Sequence, residues 1–133
     1  IEREKEEGIV CIKGDKTDFR RMMVNVIKNG VEAIEGKKGE IKVSYRIDGD
    51  YVEIRVKDNG KGMSRCMVEK LERGEEVGTT KKGGYGIGMG QVMGVIREMR
   101  GKIKIESREG EGTEFILTFP KAEKPSIENG DNN

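Results

Sequence analysis

Histidine is absent from this chain of 133 residues, and so is tryptophan. Without imidazole, no histidine base or metal ligand can come from within the sequence. Cysteine occurs twice, at Cys11 and Cys66, with neither a disulfide framework nor zinc spacing. Both read as small buried hydrophobes in a reducing cytosol. An excess of charge of one sign is missing too. Lys and Arg number 26 against 25 Asp and Glu, a formal net charge of +1, so no global field draws the chain to nucleic acid or an acidic membrane. No apolar run approaches the ~20 residues of a membrane span, and no signal-peptide pattern opens the chain.

Charge and glycine are abundant. Charged residues make up 38% of the chain and apolar residues 33%, which describes one domain with one core and a well-solvated surface. Of the 20 glycines, a dense cluster lies between Gly74 and Gly94, well above the usual ~7% share.

Residues 1–7 are nearly all charged and read as the end of a preceding helix or a linker. Ile9, Val10 and Ile12 suit a short edge strand broken at Gly14-Asp15. A helix is expected from an N-cap at Thr17 or Asp18. Phe19, Met22, Met23, Val26, Ile27, Gly30 and Ile34 give its apolar stripe, and Gly36 and Gly39 end it. Asn25, Asn29 and Glu32 share a second stripe to one side. Ile41 to Ile47 and Val52 to Val56 alternate with polar residues around Asp48-Gly49-Asp50, which predicts an antiparallel hairpin with one buried face. A short helix over Ser64 to Leu71 follows, then the glycine-rich loop Glu72 to Tyr85, long enough to suggest function. Met89, Val92, Met93, Ile96 and Met99 predict another helix, stopped by Gly101. Ile103 and Ile105 make one strand; Phe115, Leu117 and Phe119 make the last, ended by Pro120. Residues 121–133 are polar and expected to be disordered. The expected fold is α/β: a two-layer sandwich with a mixed, mainly antiparallel sheet of about five strands and helices on one face.

Three stretches carry chemistry. Asn25 and Asn29 lie one helical turn apart, so their amides project to one place. Their carbonyl oxygens suit a hard cation such as Mg²⁺, and taken alone the pair equally suits two solvated amides. Asp58 ends a strand before Asn59-Gly60-Lys61-Gly62. Its carboxylate could accept a purine amine, and Gly60 and Gly62 would let the backbone close on a flat ring; a plain turn explains the same residues. From Gly78 onward, Thr79, Thr80, Lys81 and Lys82 precede Gly84, Gly86 and Gly88, which alternate with Tyr85 and Ile87. A glycine-rich loop with cations running into a helix N-terminus is the chemistry of a phosphate cradle.

In combination these motifs resemble the catalytic, ATP-binding domain of sensor histidine kinases, in the superfamily that also contains gyrase, Hsp90 and MutL. Asn25-Val-Ile-Lys-Asn29-Gly-Val-Glu-Ala33 resembles the N box, Asp58-Asn-Gly-Lys-Gly62-Met63 the G1 box and Gly84-Tyr-Gly-Ile-Gly-Met89 the G2 box. Gly110 to Thr113 matches the segment before the closing strand. The resemblance covers about Gly8 to Pro120, so residues 8–120 form the expected domain, with the Bergerat-type fold of that superfamily. It implies that Asn29, with Asn25, binds Mg²⁺, and that no other metal is used. It implies that Asp58 receives the adenine amine, that Gly60, Gly62 and Met63 line the adenine pocket and that Thr113 closes it. Thr79, Thr80 and Lys81 would sit in a mobile ATP lid over Glu72 to Tyr85. Lys81, as a catalytic cation, would hold the phosphates with the backbone of Gly84, Tyr85, Gly86, Ile87, Gly88 and Met89. The lid departs from the family in lacking the usual Phe, and Arg100-Gly101 stands where His-Gly-Gly is common.

ATP-hydrolysing members place a Glu one turn before the metal-binding Asn; Asn25 stands there, and a neutral amide cannot act as a general base. The resemblance therefore implies a kinase that binds Mg-ATP and transfers the γ-phosphoryl group to a histidine on a separate dimerisation domain. A response regulator receiver would act downstream, and the domain would lie in the cytosol even if its parent is membrane-anchored. A nucleotide-binding interaction module and an anti-sigma-type serine kinase share the fold and stay open as alternatives.

Overall fold

The computed structural model describes residues 11–34, 38–74 and 88–122. Asp15, rather than Thr17 or Asp18, caps the first helix, α1 (Lys16–Ala33): its side chain accepts the Asp18 N–H at 2.9 Å. The periodicity starts only at Phe19, which hides a first turn of polar residues. The helix stops at Ala33, short of the expected glycines. Its last carbonyl accepts the Lys61 N–H at 2.9 Å, so the loop after the hairpin satisfies a C-terminal carbonyl.

Before α1 comes β1 (Cys11–Ile12), and after it the hairpin β2 (Ile41–Asp48) and β3 (Tyr51–Asp58). Asp48 pairs with Tyr51 across Gly49-Asp50; only Gly49 has positive φ, the pattern of a type II′ turn. Next are α2 (Arg65–Glu72), capped by Ser64, then α3 (Met89–Glu98), β4 (Lys102–Arg108) and β5 (Gly112–Ala122). β5 is the centre of the sheet. It pairs with β3 on one edge and with β4 on the other, and its last two residues pair with β1; β2 lies outside β3. Every described pairing is antiparallel.

The strand expected to end at Pro120 continues to Ala122. Lys121 donates to the Asp50 carbonyl on the β3 side, so Pro120 faces the other edge. There β4 has already ended opposite Thr118, and the missing proline N–H leaves no bond unmade.

The helices cover one face of the sheet. Met22, Val26 and Ala33 from α1, Val68 and Leu71 from α2, and Val92, Val95 and Ile96 from α3 pack on Val56, Ile105, Phe115, Leu117 and Phe119. Phe19 meets Phe119 edge-on at 6.0 Å. This cover reaches Ile41 at the start of β2 but not the middle of that strand. Val43 and Tyr45, expected on the buried face, are about half exposed. Alternation places them on the helix side of the sheet, but α1 lies over β3. Cys66 is exposed and Cys11 half-buried, so neither is the buried hydrophobe expected.

The opposite face of the sheet carries charge. Arg46 meets Glu53 at 2.6 Å, Arg55 meets Glu53 at 3.2 Å and Glu114 at 3.3 Å. The hydrogen bond from Arg46 holds the Glu53 carboxyl below the ordinary glutamate value; partial burial opposes this and Arg55 adds to it. Ile116, between Arg55 and Lys104 in register, is nonetheless buried on this face, where long cationic side chains can cover apolar surface with their stems. No helix among the described residues is long and apolar enough to cross a membrane. The expected strand residues Ile9 and Val10, Gly36, the segments 1–7 and 123–133, and most of the loop after Gly74 lie outside the described residues.

Candidate functional site

Met22, Val26, Asn29 and Ala33 form the buried stripe of α1, so Asn29 lies on the inward face and is 4% exposed. Its Nδ2 donates to the Met89 Sδ at 3.3 Å, at the first turn of α3. One turn earlier, Asn25 Nδ2 donates to Gln91 Oε1 at 2.8 Å. Among the described residues no donor reaches the Oδ1 of either asparagine. A buried carbonyl oxygen left without a donor is costly unless a ligand supplies one or a cation takes its place. Asn29 Oδ1 is such an oxygen; with Asn25 Oδ1, on a half-buried residue one turn earlier, it suits a hard cation that keeps some water and shares oxygens with a phosphate.

Gly88 brings the third motif to the first. It caps α3 in the left-handed region, φ 85°, and a Cβ there would lie 2.9 Å from Asn25 Cγ. The asparagine amide therefore packs against bare backbone at a helix N-terminus, where the dipole favours an anion.

Asp58 closes the other end. It is 3% exposed, and its Oδ1 accepts the Gly60 N–H at 2.8 Å. A Cβ on Gly30 would lie 3.3 Å from Asp58 Oδ2, so a glycine of α1 admits the carboxylate to the helix. Gly60 in turn packs on the last turn of α1: a Cβ would meet the Ala33 carbonyl at 2.6 Å. Across the sheet Asp58 pairs with Thr113, which is 2% exposed. Met63 and Thr113 are joined through Ser107, whose Oγ accepts the Met63 N–H at 2.8 Å and lies 2.7 Å from Thr113 Oγ1 and 3.0 Å from the Gly112 carbonyl.

Asn25, Asn29, Gly88 and Met89 thus meet along one flank of α1, and Asp58 and Gly60 pack on its C-terminal turns. Met63 and Thr113 meet at Ser107, and Gly62, φ 74°, packs against the Arg108 carbonyl. Thr79, Thr80, Lys81, Gly84, Tyr85, Gly86 and Ile87 lie outside the described residues. A cavity of about 920 Å³ opens between α2 and β4; Asp58, Met63 and Thr113 reach it, whereas Asn25 and Asn29 do not line it. Two residues of the arrangement escaped the sequence reading. Ser107 looks like any outward polar residue of an alternating strand. Gln91 lies in a run otherwise of Met, Gly and Val, where its polarity was the available signal.

The chain resembles known proteins over most of its length. Residues 14–123 match the family described as histidine kinase-, DNA gyrase B- and HSP90-like ATPase. Sporulation kinase C of Bacillus subtilis is 35% identical over 121 residues, which are 90% of this chain and 28% of that protein. A putative NtrY-like sensor histidine kinase of Rickettsia conorii is 34% identical over 106 residues, 79% of this chain and 17% of that protein. The chain thus spans less than a third of the length of these relatives. Among solved structures, the nucleotide-free catalytic domain of histidine kinase ThkA superposes with a TM-score of 0.69 at 30% identity, over 82% of this chain and 71% of that one. Full-length ShkA in complex with AMPPNP gives 0.69 at 25% identity, over 89% of this chain and 24% of that one. By motif order, fold and relatives alike, this chain belongs to the family of histidine kinase-, DNA gyrase B- and HSP90-like ATPases.

Proposed function

We propose that this domain binds ATP with Mg²⁺ between α1 and the end of β3, and that it donates the γ-phosphoryl group to a histidine of a separate dimerisation domain. The observation that carries the reading is the pair of asparagine oxygens, Asn25 Oδ1 and Asn29 Oδ1, left without described donors beside the N-terminus of α3. These oxygens would hold Mg²⁺, which supplies charge neutralisation to the phosphates when bound. Asp58 would accept the adenine amine, with Gly60, Gly62 and Met63 along the ring and Thr113, oriented through Ser107, at its far edge. The Gly88 end of α3 would face the phosphates with its N–H groups. Thr79, Thr80, Lys81 and the remaining glycines of the loop would complete the phosphate side.

The chain's part in transfer is positioning and charge stabilisation. Asn25 cannot activate water, which disfavours hydrolysis. An imidazole nitrogen of the acceptor forms the P–N bond while the bond from the γ-phosphorus to the β–γ bridging oxygen breaks and ADP leaves. The sequence has no histidine, so the acceptor must come from outside these 133 residues. A receiver domain of a response regulator would take the phosphoryl group next, in the cytosol. The test is to supply a histidine-containing dimerisation domain of a related kinase in trans with γ-labelled ATP. Label that appears on that domain and is lost in acid is the expected result. Acid-stable label would indicate a serine kinase, and nucleotide binding without transfer to any such partner would favour an interaction module.

A further inference from the structure

An asparagine amide is nearly isosteric about its Cγ, so it can face a cation with either its oxygen or its NH₂. Only the oxygen is a ligand. Something must therefore choose, and around Asn25 the choice can be traced to a main-chain atom. The Asp18 carbonyl can only accept. Gln91 Nε2 donates to it at 3.3 Å, which leaves Gln91 Oε1 facing Asn25. An oxygen there can only be met by Nδ2, and it is, at 2.8 Å. Asn25 Oδ1 is consequently turned away from Gln91, while Gly88 packs against the amide. The order Asp18 carbonyl, Gln91, Asn25 ties the first turn of α1 to the first turn of α3 and returns to α1. Among the described residues, the acceptor for the Asn29 NH₂ is a thioether, a weak partner, so the stronger latch is on Asn25.

From this chain of bonds we infer that Gln91 is a positioning residue: it fixes the amide of Asn25 with the oxygen towards the divalent cation that accompanies the nucleotide. The role rests on the Mg-ATP reading above. A partner that orients a ligand without touching the metal is commonly worth about tenfold or more in metal affinity.

Gln91→Met removes both polar ends at similar length. Gln91→Glu keeps an acceptor towards Asn25, which still demands Nδ2. Isothermal titration of ATP in excess Mg²⁺ and in EDTA gives the Mg²⁺-dependent gain in affinity for each variant, and thermal unfolding reports packing. The expected result is a gain cut about tenfold in Gln91→Met, with the EDTA affinity and melting temperature close to the unmodified chain. Gln91→Glu retains the gain, and Gln91→Met has no further effect in an Asn25→Ala background. An undiminished gain in Gln91→Met overturns the inference. So does an equal loss in Mg²⁺ and EDTA, a loss in Gln91→Glu as deep as in Gln91→Met, or an effect that persists beside Asn25→Ala. If the unmodified chain binds ATP no better with Mg²⁺ than without it, the Mg-ATP reading fails and the positioning role falls with it; a gain intact in Gln91→Met overturns the positioning role alone.

Discussion

Gly88 meets two demands at once. Its φ of 85° lies where a side chain is strained, and the space its Cβ would fill holds the Asn25 amide. Gly88→Ala should therefore lower stability by about 1–3 kcal/mol in urea denaturation and also weaken Mg²⁺-dependent nucleotide binding, because relief of the clash displaces Asn25. Loss of neither would show that the backbone there adapts. Glu53 tests a residue far from the site. Its folded pKa is lowered, so the unfolded chain takes up the proton first as pH falls. The stabilisation is fully present above the ordinary glutamate pKa and is lost as pH drops through the lower folded value. Denaturation measured at a series of pH values should show this acid slope, and Glu53→Gln should flatten it. Single residues were unevenly legible. Asn25, Asn29 and Asp58 stood out because an amide or carboxylate at an unusual place needs a reason. Gln91 and Ser107 did not, since their partners, Asp18, Asn25, Met63 and Thr113, are reached only through the fold.

The end of α3 shows why element boundaries resist sequence reading. Gly101 N–H donates to the Ile96 carbonyl at 2.8 Å and Arg100 N–H to Arg97 at 3.1 Å, the pair of bonds that closes a helix through a left-handed residue. That residue is Arg100, φ 59°, the one described non-glycine residue with positive φ. Gly101 is the residue the sequence marks as the stop, yet the strained position precedes it. Arg100→Gly should raise stability by about 0.5–1 kcal/mol, the left-handed strain outweighing the added freedom of the unfolded chain. A thermal melt of the variant at or below the unmodified value would contradict this. β2 teaches a related point. Its alternation marks the strand and the hairpin, but alternation is local, whereas cover depends on where α1 crosses. Val43 and Tyr45 are half exposed for that reason. β5 runs through Pro120 because a proline stops a strand only where its N–H is needed.

For the molecule as a whole, the order of motifs carried more than any one of them. An Asn pair on a helix, an Asp-x-Gly-x-Gly after a strand and a Gly-x-Gly-x-Gly before a helix each have a plain structural explanation. The fold joins them because α1 packs by one flank on the start of α3 and by its last turn on the loop after β3. That contact sets Asn25 and Asn29 beside the start of α3 and leaves Asp58, paired with Thr113, at the C-terminal turns of α1. On the proposed reading, the asparagines hold the cation and Asp58 the purine of one Mg-ATP. Isothermal titration of the unmodified chain, Asn29→Ala and Asp58→Ala with ATP in Mg²⁺ tests it most directly. Saturable one-to-one binding that weakens about tenfold or more in each variant is the expected result, the cost of a lost buried polar partner. No binding by the unmodified chain, or binding that neither substitution alters, would contradict it.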